Sequence, residues 1–414
     1  METNCENGKG KRIEIADIFK KYGGAFREKY RLSFHNIKVM NLISVCRTSS
    51  LGGHLEKCDQ CGYQRNAYNS CRNRHCPKCQ YAAKEKWIEH RKSELLPIPY
   101  YHIVFTIPEE LNKITLVNKT VMYSILFKSA SETLLTLGKD PKHLGAEIGI
   151  IAVLHTWGQN LMDHPHLHCI VTGGGLNRTR SKWVKAKKAK HWESMPLAKN
   201  FFIHVNIISD LFKKKFLYYF KKAQKNKELK FIGELSELNE HKVFQRMLNS
   251  LYKKKWITYC KRPFGGAEKV VEYLGRYTHR VAISNNRIKR IEHDNVVFEW
   301  KDYRDNNTRK EMELPAVEFI RRFMLHILPE NFYKTRYYGI LSSRNKQKDI
   351  AKCRKLLGVA KDKKPEETEI VQACSDRKSP NKESSLVPSG VGYNQCPNCK
   401  AGTMHFVKIR TRAA

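Results

Sequence analysis

Apolar residues in the first part of the chain recur every three or four positions, which is the spacing of an amphipathic helix. The clearest stripe predicts a helix over residues 13–30 and consists of Ile15, Ile18, Phe19, Tyr22 and Phe26. Further helices are predicted over 33–46 and 81–95, and Pro97 ends the second of these. A cysteine-rich segment separates them, so this region is predicted to be helical with a small cysteine-rich module.

The middle of the chain mixes β-branched and aromatic runs with longer helical patterns. The predicted elements are a strand over 100–107, a helix over 119–137, a hairpin of strands 148–157 and 164–172, helices over 204–223 and 241–253, and a strand over 256–260. Three glycines, 173–175, follow the hairpin and indicate a flexible turn or a close backbone approach. This order predicts an antiparallel sheet with helices on one face, an α+β sandwich.

The C-terminal part reads as a meander of short strands followed by a helix that Pro315 opens. The predicted strands cover 281–283, 288–291, 296–300 and 310–314. Residues 361–388, rich in Lys, Glu, Ser and Pro, are predicted to be a disordered linker. The tail after it ends in Cys396-Pro-Asn-Cys399, half of a zinc ribbon, which Cys374 and His405 would complete if it is not simply a pair of thiols.

Histidines occupy alternate positions on the second strand of the hairpin. His166 and His168 flank Leu167, so both imidazoles point to one face of a strand. A hairpin folded about its middle places His155 nearly opposite His166. Three convergent imidazoles form a divalent-metal site with open positions, as catalysis requires. His164 or Gln159 are alternatives to His155 as third ligand, and surface histidines on a polar face are the alternative to a metal site.

Two Cys-x2-Cys pairs in one short segment predict a structural zinc ion. The expected ligands of one ion are Cys58, Cys61, Cys76 and Cys79. Cys71, His75 and His54 are left over, and they form part of a second site or exchange into the first. Nearby cations are expected to face DNA, namely Arg65, Arg72, Arg74 and Lys78.

Two tyrosines lie four residues apart in a helical pattern over 267–280. On a helix Tyr273 and Tyr277 share one face. Neighbouring cations suit attack of a phenol oxygen on a phosphate, and they are Lys269, Arg276, His279 and Arg280. In isolation, ordinary packing of two half-buried tyrosines is the simpler interpretation.

Composition narrows the function. The chain of 414 residues has 77 Lys and Arg against 40 Asp and Glu, a net charge of +37, which indicates a polyanionic partner, most often nucleic acid. Thirteen cysteines without a signal peptide indicate metal ligands or buried thiols rather than disulfides. No apolar run is as long as a membrane span. The missing signal peptide predicts a location inside the cell.

Taken together, these motifs resemble the HUH superfamily of single-strand DNA endonucleases, and within it the two-tyrosine rolling-circle transposases of the IS91 type with their N-terminal zinc-binding domain. The matching runs are Cys58 to Cys79, Tyr101 to Pro108, His164 to His168, Tyr273 to Tyr277 and Arg336 to Arg344. The resemblance implies an RRM-like antiparallel sheet with the tyrosine helix beside it. It also implies attack of a tyrosine on DNA, a 5′-phosphotyrosine intermediate, a free 3′-hydroxyl, and Mg²⁺ or Mn²⁺ as cofactor. The location that it implies is the bacterial cytoplasm, in association with the nucleoid.

The predicted organisation is therefore a helical and zinc-binding region over 1–95, a catalytic HUH domain over 96–290, a DNA-contacting meander and helix over 291–360, and a linker with a zinc-ribbon-like tail over 361–414. The predicted partner is single-stranded DNA at the ends of a mobile element and at its target. The competing hypotheses are a zinc-dependent DNA- or RNA-binding regulator without catalysis, and a plasmid relaxase or replication initiator of the same chemistry.

Overall fold

The computed structural model describes residues 12–92, 94–186, 203–261, 269–270, 275, 278–303, 305–359 and 395–412. The chain divides into a larger unit, 1–44 with 72–358, and a smaller unit, 45–71 with 359–414. The smaller unit thus takes one segment from the predicted N-terminal region and combines it with the tail. These units do not follow the boundaries proposed from the sequence.

The helices with continuous bounds in the described residues are α1 (Ile15–Lys29), α2 (Phe34–Ser44), α3 (Pro77–Lys92), α4 (Asn112–Val117), α5 (Lys119–Lys139), α6 (Val205–Lys225), α7 (His241–Lys253), α8 (Ala316–Leu325) and α9 (Lys346–Leu356). The strands are β1 (Gly53–Cys58), β2 (Gln64–Tyr68), β3 (Tyr100–Thr106), β4 (Ala146–Trp157), β5 (Asp163–Asn177), β6 (Trp183–Lys185), β7 (Thr258–Lys261), β8 (Ile288–Glu292), β9 (Asn295–Asp302), β10 (Thr308–Pro315), β11 (Thr335–Gly339) and β12 (Met404–Arg410). None of the described helices is long and apolar enough to cross a membrane.

An antiparallel sheet lies at the centre of the larger unit, in the order β11-β4-β5-β3-β7, with β6 paired to β5. Because side chains alternate along a strand, β5 directs Leu167, Cys169 and Val171 to one face. On that face they join the main apolar core, to which α5 and α6 contribute Phe127, Phe212 and other buried residues. The expected α+β arrangement of helices packed on an antiparallel sheet is present.

The opposite face of the sheet is half apolar, which the one-sided sandwich did not predict. Tyr100, Val153 and Ile170 form a second core there with Ile350 of α9 and Val270. Val270 belongs to the helical segment that precedes the two tyrosines. The sheet therefore has helical cover on both faces, and the uncovered part of the second face carries the histidines.

The three consecutive glycines lie inside β5 rather than in a turn. A side chain on Gly173 would meet the carbonyl oxygen of Pro99 at 2.7 Å, and one on Gly174 would meet that of Val184 at 2.5 Å. The close backbone approach was thus the correct alternative, because β5 has neighbouring strands on both sides here.

A second sheet, β10-β9-β8, forms the predicted meander. Phe298 of β9 packs edge-on against Phe319 of α8, and Phe323 of α8 packs against Phe19 of α1. Residues 281–283, predicted as a strand, are not part of a sheet.

The smaller unit contains a sheet in the order β12-β1-β2. Its central strand, β1, pairs on one side with β2, which follows it in the chain, and on the other with β12 from the tail. Cys58 lies opposite Met404 at one end of the β1–β12 pair, and Gly53 lies opposite Arg410 at the other. A segment of the N-terminal part and a segment of the tail therefore build one sheet.

Candidate active site

The histidine hairpin folds as its sequence predicts. β4 and β5 pair with His155 opposite His166, and His168 follows two residues along β5 on the same face. Each of these three histidines has a ring nitrogen, and these nitrogens all lie within 4.8 Å of one another. The short connection between the strands fixes this register, because a shift by one residue would send the imidazoles to the opposite face.

Hydrogen bonding fixes which nitrogen of His166 is free. Its Nδ1 lies 2.6 Å from the carbonyl oxygen of His164, so Nδ1–H donates and Nε2 keeps its lone pair. That Nε2 lies 3.1 Å from Nε2 of His168. Two nitrogens that each lie ~2.1 Å from one ion are separated by roughly 3.0–3.4 Å, so this pair fits a shared metal.

A fourth histidine, which the sequence interpretation did not assign, supports this group from β3. Nε2 of His102 lies 2.9 Å from Nδ1 of His168, and the two rings are stacked. His102 is buried. Its place at an alternate position of the strand 100–107 is the only sequence signal that would have put it on the histidine face.

Burial keeps the histidines neutral. It lowers the pKa of His166 to about 3 and the pKa of His168 well below its ordinary value, and the nearby imidazoles add to both effects. His164 has a lowered pKa for the same main reason. Neutral imidazole is the form that binds metal ions, so these side chains need no deprotonation at physiological pH.

The histidines form the floor of a cleft of about 600 Å³. Trp157, Gln159, Tyr259, Arg280 and Tyr303 contribute to its walls, and no carboxylate is among the described residues that line it. His164 and Gln159, the two alternative third ligands, also reach this cleft, but only His155 joins the close group of nitrogens. A cleft with this lining favours an anionic substrate.

The predicted nucleophiles Tyr273 and Tyr277, together with Arg276, lie outside the described residues. Gly275 between them is described as helical, and a Cβ atom there would overlap Cγ1 and Cδ1 of Ile88 in α3. Lys269 is exposed on the same segment. Arg280, which follows it, lines the histidine cleft.

Four thiols of the smaller unit form a compact group that differs from the predicted zinc site. Cys58 and Cys61 are grouped with Cys396 and Cys399 of the tail, not with Cys76 and Cys79. Sγ of Cys58 lies 3.7 Å from that of Cys399, and Sγ of Cys61 lies 3.6 Å from that of Cys396. Sulfurs at ~2.3 Å from one tetrahedral zinc are roughly 3.8 Å apart, whereas a disulfide is far shorter.

The surroundings of these thiols also suit zinc. Backbone N–H groups donate to several of these sulfurs: that of Tyr63 is the main factor that lowers the pKa of Cys61 to about 6, while the pKa of the neighbouring Cys58 is raised. The N–H of Gly402 donates to Sγ of Cys399 at 3.3 Å. His405, once an alternative ligand, instead lies 3.3 Å from a carboxylate oxygen of Asp59. Cys374, the other alternative, lies outside the described residues.

The remaining cysteines of the predicted zinc site lie at two places. In the smaller unit, the N–H of Cys71 donates to Sγ of Cys46 at 3.5 Å. In the larger unit, buried Cys76 and Cys79 stand at the beginning of α3, and Nε2 of His75 is buried without a hydrogen-bond partner among the described residues.

Three of the four cations expected to face DNA have partners in their own chain, and one of them, Arg65, pairs with Glu56 at 2.6 Å. The guanidinium of Arg74 donates to the backbone carbonyls of Phe332 and Pro329, so it holds the chain before β11 instead of facing DNA. Lys78 forms an ion pair with Glu14 at 2.5 Å. Arg72 remains exposed. A basic residue in the sequence does not reveal whether a carbonyl or a carboxylate of its own chain will engage it.

Comparisons with known proteins identify the family of this chain. A family model described as "Putative transposase" matches residues 149–348, and a model described as "Transposase zinc-binding domain" matches residues 18–107. The putative transposase y4qJ of Sinorhizobium fredii is 47% identical and covers 96% of this chain and 95% of its own length. The transposase for insertion sequence element IS801 of Pseudomonas savastanoi pv. phaseolicola is 26% identical over 74% of this chain and 70% of its own length. No solved structure matches the chain significantly. The chain therefore belongs to the transposase family of the IS91 type and carries that family's zinc-binding domain in its N-terminal part.

Proposed function

We propose that this transposase nicks and rejoins single-stranded DNA through a 5′-phosphotyrosine intermediate, with the help of a divalent metal ion, and so drives rolling-circle transposition of an insertion sequence. The observation that carries the proposal is the convergence of His155, His166 and His168 on one cleft without a described carboxylate. The two-tyrosine segment follows in the same unit. The order of these parts in a relaxase is usually reversed, which favours the transposase.

His155, His166 and His168 would hold the ion. When bound, a divalent cation withdraws charge from the non-bridging oxygens of a phosphate and so supports attack at phosphorus. Mg²⁺ prefers oxygen ligands, whereas Mn²⁺ accepts imidazole more readily. Because no carboxylate is among the described residues of the cleft, we propose Mn²⁺ as the better cofactor and Mg²⁺ as the weaker one.

The proposed covalent step exchanges one phosphoester for another. The phenol oxygen of Tyr273 or Tyr277 loses its proton and attacks the phosphorus. The bond from phosphorus to the 3′ oxygen breaks, and that oxygen leaves with a proton as a 3′-hydroxyl. Because the new phosphotyrosine bond keeps the energy of the broken one, another 3′-hydroxyl can attack the same phosphorus without a nucleotide cofactor. That hydroxyl loses its proton, the bond from phosphorus to the phenol oxygen breaks, and the tyrosine leaves with a proton. Arg280 at the cleft, with Lys269, Arg276 and Arg72, would attract the backbone.

The zinc-binding cysteines have a structural role in this proposal. We propose that Cys58, Cys61, Cys396 and Cys399 bind one zinc ion. Cys76 and Cys79 of the larger unit, predicted as zinc ligands from their spacing, are proposed as ligands of a second ion. An RRM-like HUH core remains our interpretation of the antiparallel sheet, and residues 291–360 remain our proposal for additional DNA contacts.

The test uses labelled single-stranded DNA that carries candidate element ends, incubated with Mn²⁺ or Mg²⁺ and resolved on a denaturing gel. Wild type is compared with Tyr273→Phe, Tyr277→Phe, the double variant and the His166→Ala/His168→Ala variant. We expect a protein–DNA adduct in wild type that the double variant and the histidine variant lose. Binding without an adduct under any metal condition would favour the non-catalytic regulator instead.

A further inference from the structure

Two exposed tyrosines line the histidine cleft from different parts of the fold. Tyr259 lies on β7 with 50% of its surface exposed, and Tyr303 follows β9 with 63% exposed. Both contribute to the wall of the cleft that has the histidines as its floor. Single exposed aromatic side chains occur elsewhere in the described chain, so the informative observation is that two of them meet at the histidine cleft.

Strand pairing fixes the position of Tyr259 relative to the metal ligands. Tyr259 is the partner of Val104 on β3, and Val104 is the partner of His168 on β5. The three residues therefore form one row across three strands and share one face of the sheet. With neighbouring strands ~4.8 Å apart, Tyr259 lies roughly 10 Å from His168 along that row.

Tyr303 reaches the cleft from another side. Nε2 of Gln159, in the turn between the two histidine strands, donates to its phenol oxygen at 3.1 Å. The ammonium of Lys301 lies 5.6 Å from the centre of its ring. The ring thus lies beside the turn that joins the two histidine strands, and the nearby cation suits a ligand with negative charge.

We propose that Tyr259 and Tyr303 stack on bases on either side of the phosphate that the histidine site processes, and so hold unpaired nucleotides in register for cleavage. Aromatic rings bind bases of any sequence because every base has a π-face, and they require bases that are not paired in a duplex. The lining of the cleft is consistent with such a ligand: Arg280 offers a cation, and Gln159 and Asn307 offer amide groups. This inference rests on the proposed function, since it assumes that single-stranded DNA is the substrate.

A stacking role and a nucleophilic role make opposite demands on the phenol. Stacking needs the ring and not the hydroxyl, so Tyr259→Phe and Tyr303→Phe should bind and cleave nearly as wild type does. Tyr259→Leu and Tyr303→Leu keep an apolar side chain but remove the π-face. Because both sites are exposed, neither change should impair folding, which thermal unfolding will verify. Tyr252→Leu on α7, also exposed at 41%, is the matched control away from the cleft.

The first measurement is the fluorescence anisotropy of a labelled oligothymidine of about 20 nucleotides, at raised salt to weaken the phosphate contacts. We expect each leucine variant to raise Kd roughly tenfold, and the phenylalanine variants and Tyr252→Leu to stay within about twofold of wild type. Duplex DNA of the same length should show no such difference. Equal Kd values for the leucine variants and wild type would overturn the proposal.

The second measurement separates this inference from the proposed function. Once wild type has defined the cleaved phosphate, substrates that lack the base on either side are compared. Loss of a stacked base should raise KM for wild type and have no further effect in the matching leucine variant. If wild type forms the adduct and a missing base raises KM equally in wild type and in all variants, the stacking role is wrong and the enzymatic proposal is supported. If the leucine variants lose affinity but no adduct forms, the enzymatic proposal fails and the stacking role stands.

Loss of the adduct in Tyr259→Phe would also overturn the stacking assignment.

Discussion

Nε2 of His102 lies 2.9 Å from Nδ1 of His168, and this contact joins two strands through residues 66 positions apart. If Nε2 of His168 faces the metal ion, its Nδ1 carries the proton and donates to His102. His102 then acts as a positioning residue, because it fixes the tautomer and the ring orientation of a ligand.

The consequence is measurable as metal affinity. His102→Ala should weaken Mn²⁺ binding about 10- to 100-fold by isothermal titration, the usual effect of losing such a partner. His102→Gln, whose side-chain oxygen also accepts a hydrogen bond, should recover part of the affinity. Unchanged binding in the alanine variant would show that His168 needs no support from β3.

The identity of the third ligand is a separate prediction. His155 lies opposite His166 and belongs to the close group of nitrogens, whereas His164 contributes its backbone carbonyl to His166. We therefore expect His155→Ala to abolish measurable Mn²⁺ binding and His164→Ala to retain it within a few fold. Gln159→Ala should behave like His164→Ala. If His164→Ala or Gln159→Ala lost Mn²⁺ binding and His155→Ala kept it, the third ligand would instead lie near the hairpin turn.

Gly275 offers a steric test of the two-tyrosine segment. A side chain there would collide with Ile88 of α3, and overpacking of this kind typically costs about 1–3 kcal/mol. Gly275→Val should reduce adduct formation, because it displaces the segment that carries Tyr273 and Tyr277.

The compensating change provides the control. Ile88→Ala creates space at the same contact, so the double variant Gly275→Val/Ile88→Ala should form more adduct than Gly275→Val alone. If the second change brings no recovery, the defect arises from helix propensity or from the tyrosines themselves and not from the contact with α3.

The number of zinc ions tests the cysteine groups. Wild-type protein should contain two zinc ions per chain by elemental analysis, and Cys396→Ser/Cys399→Ser should contain one. Cys260→Ser, a change outside both groups, should keep two. If Cys396→Ser/Cys399→Ser still contained two zinc ions, the tail thiols would not be ligands. The zinc site predicted from the sequence, Cys58 and Cys61 with Cys76 and Cys79, would then be favoured.

Glu318 on α8 provides a pH-dependent contribution to stability. Hydrogen bonds from Arg321, and then from Arg322, lower the pKa of this carboxyl to about 2. A folded-state pKa below the ordinary value of 4.5 stabilises the fold above pH 4.5, and this contribution disappears as the pH falls towards 2. Glu318→Gln should therefore lose ~0.5–1 kcal/mol of unfolding free energy at pH 7 in urea denaturation.

The same comparison at pH 3 should give a smaller difference between Glu318→Gln and wild type. The exposed Glu237, changed to Gln, serves as a control for the loss of one surface charge. A difference that stays constant from pH 7 to pH 3 would mean that the carboxylate charge is not the source of the effect.

The hairpin was predictable because its information is local. The alternation of His166, Leu167 and His168 and a short turn determine both the face and the register. His102 was not predictable in the same way, because its partner is set by the pairing of β3 with β5, and many strand orders are compatible with the sequence. For the thiols, spacing identified the Cys-x2-Cys pairs but does not determine which pairs combine, and the combination predicted from it, Cys58 and Cys61 with Cys76 and Cys79, differs from the group in the structure. Arg74 shows the same limit for a cation, since its carbonyl partners lie more than 250 residues away.

The cysteine group of the smaller unit also sets an order of events during synthesis. Cys61 and Cys396 are separated by 335 positions, and at roughly 5–20 residues per second a ribosome needs on the order of 17–67 s to cover that distance. Throughout this interval β1 lacks its β12 neighbour, and Cys58 and Cys61 lack two of their four thiol partners. The sheet and the thiol group of the smaller unit are therefore complete only after residues 396–410 have been synthesised, and a transposase that terminates before them lacks both.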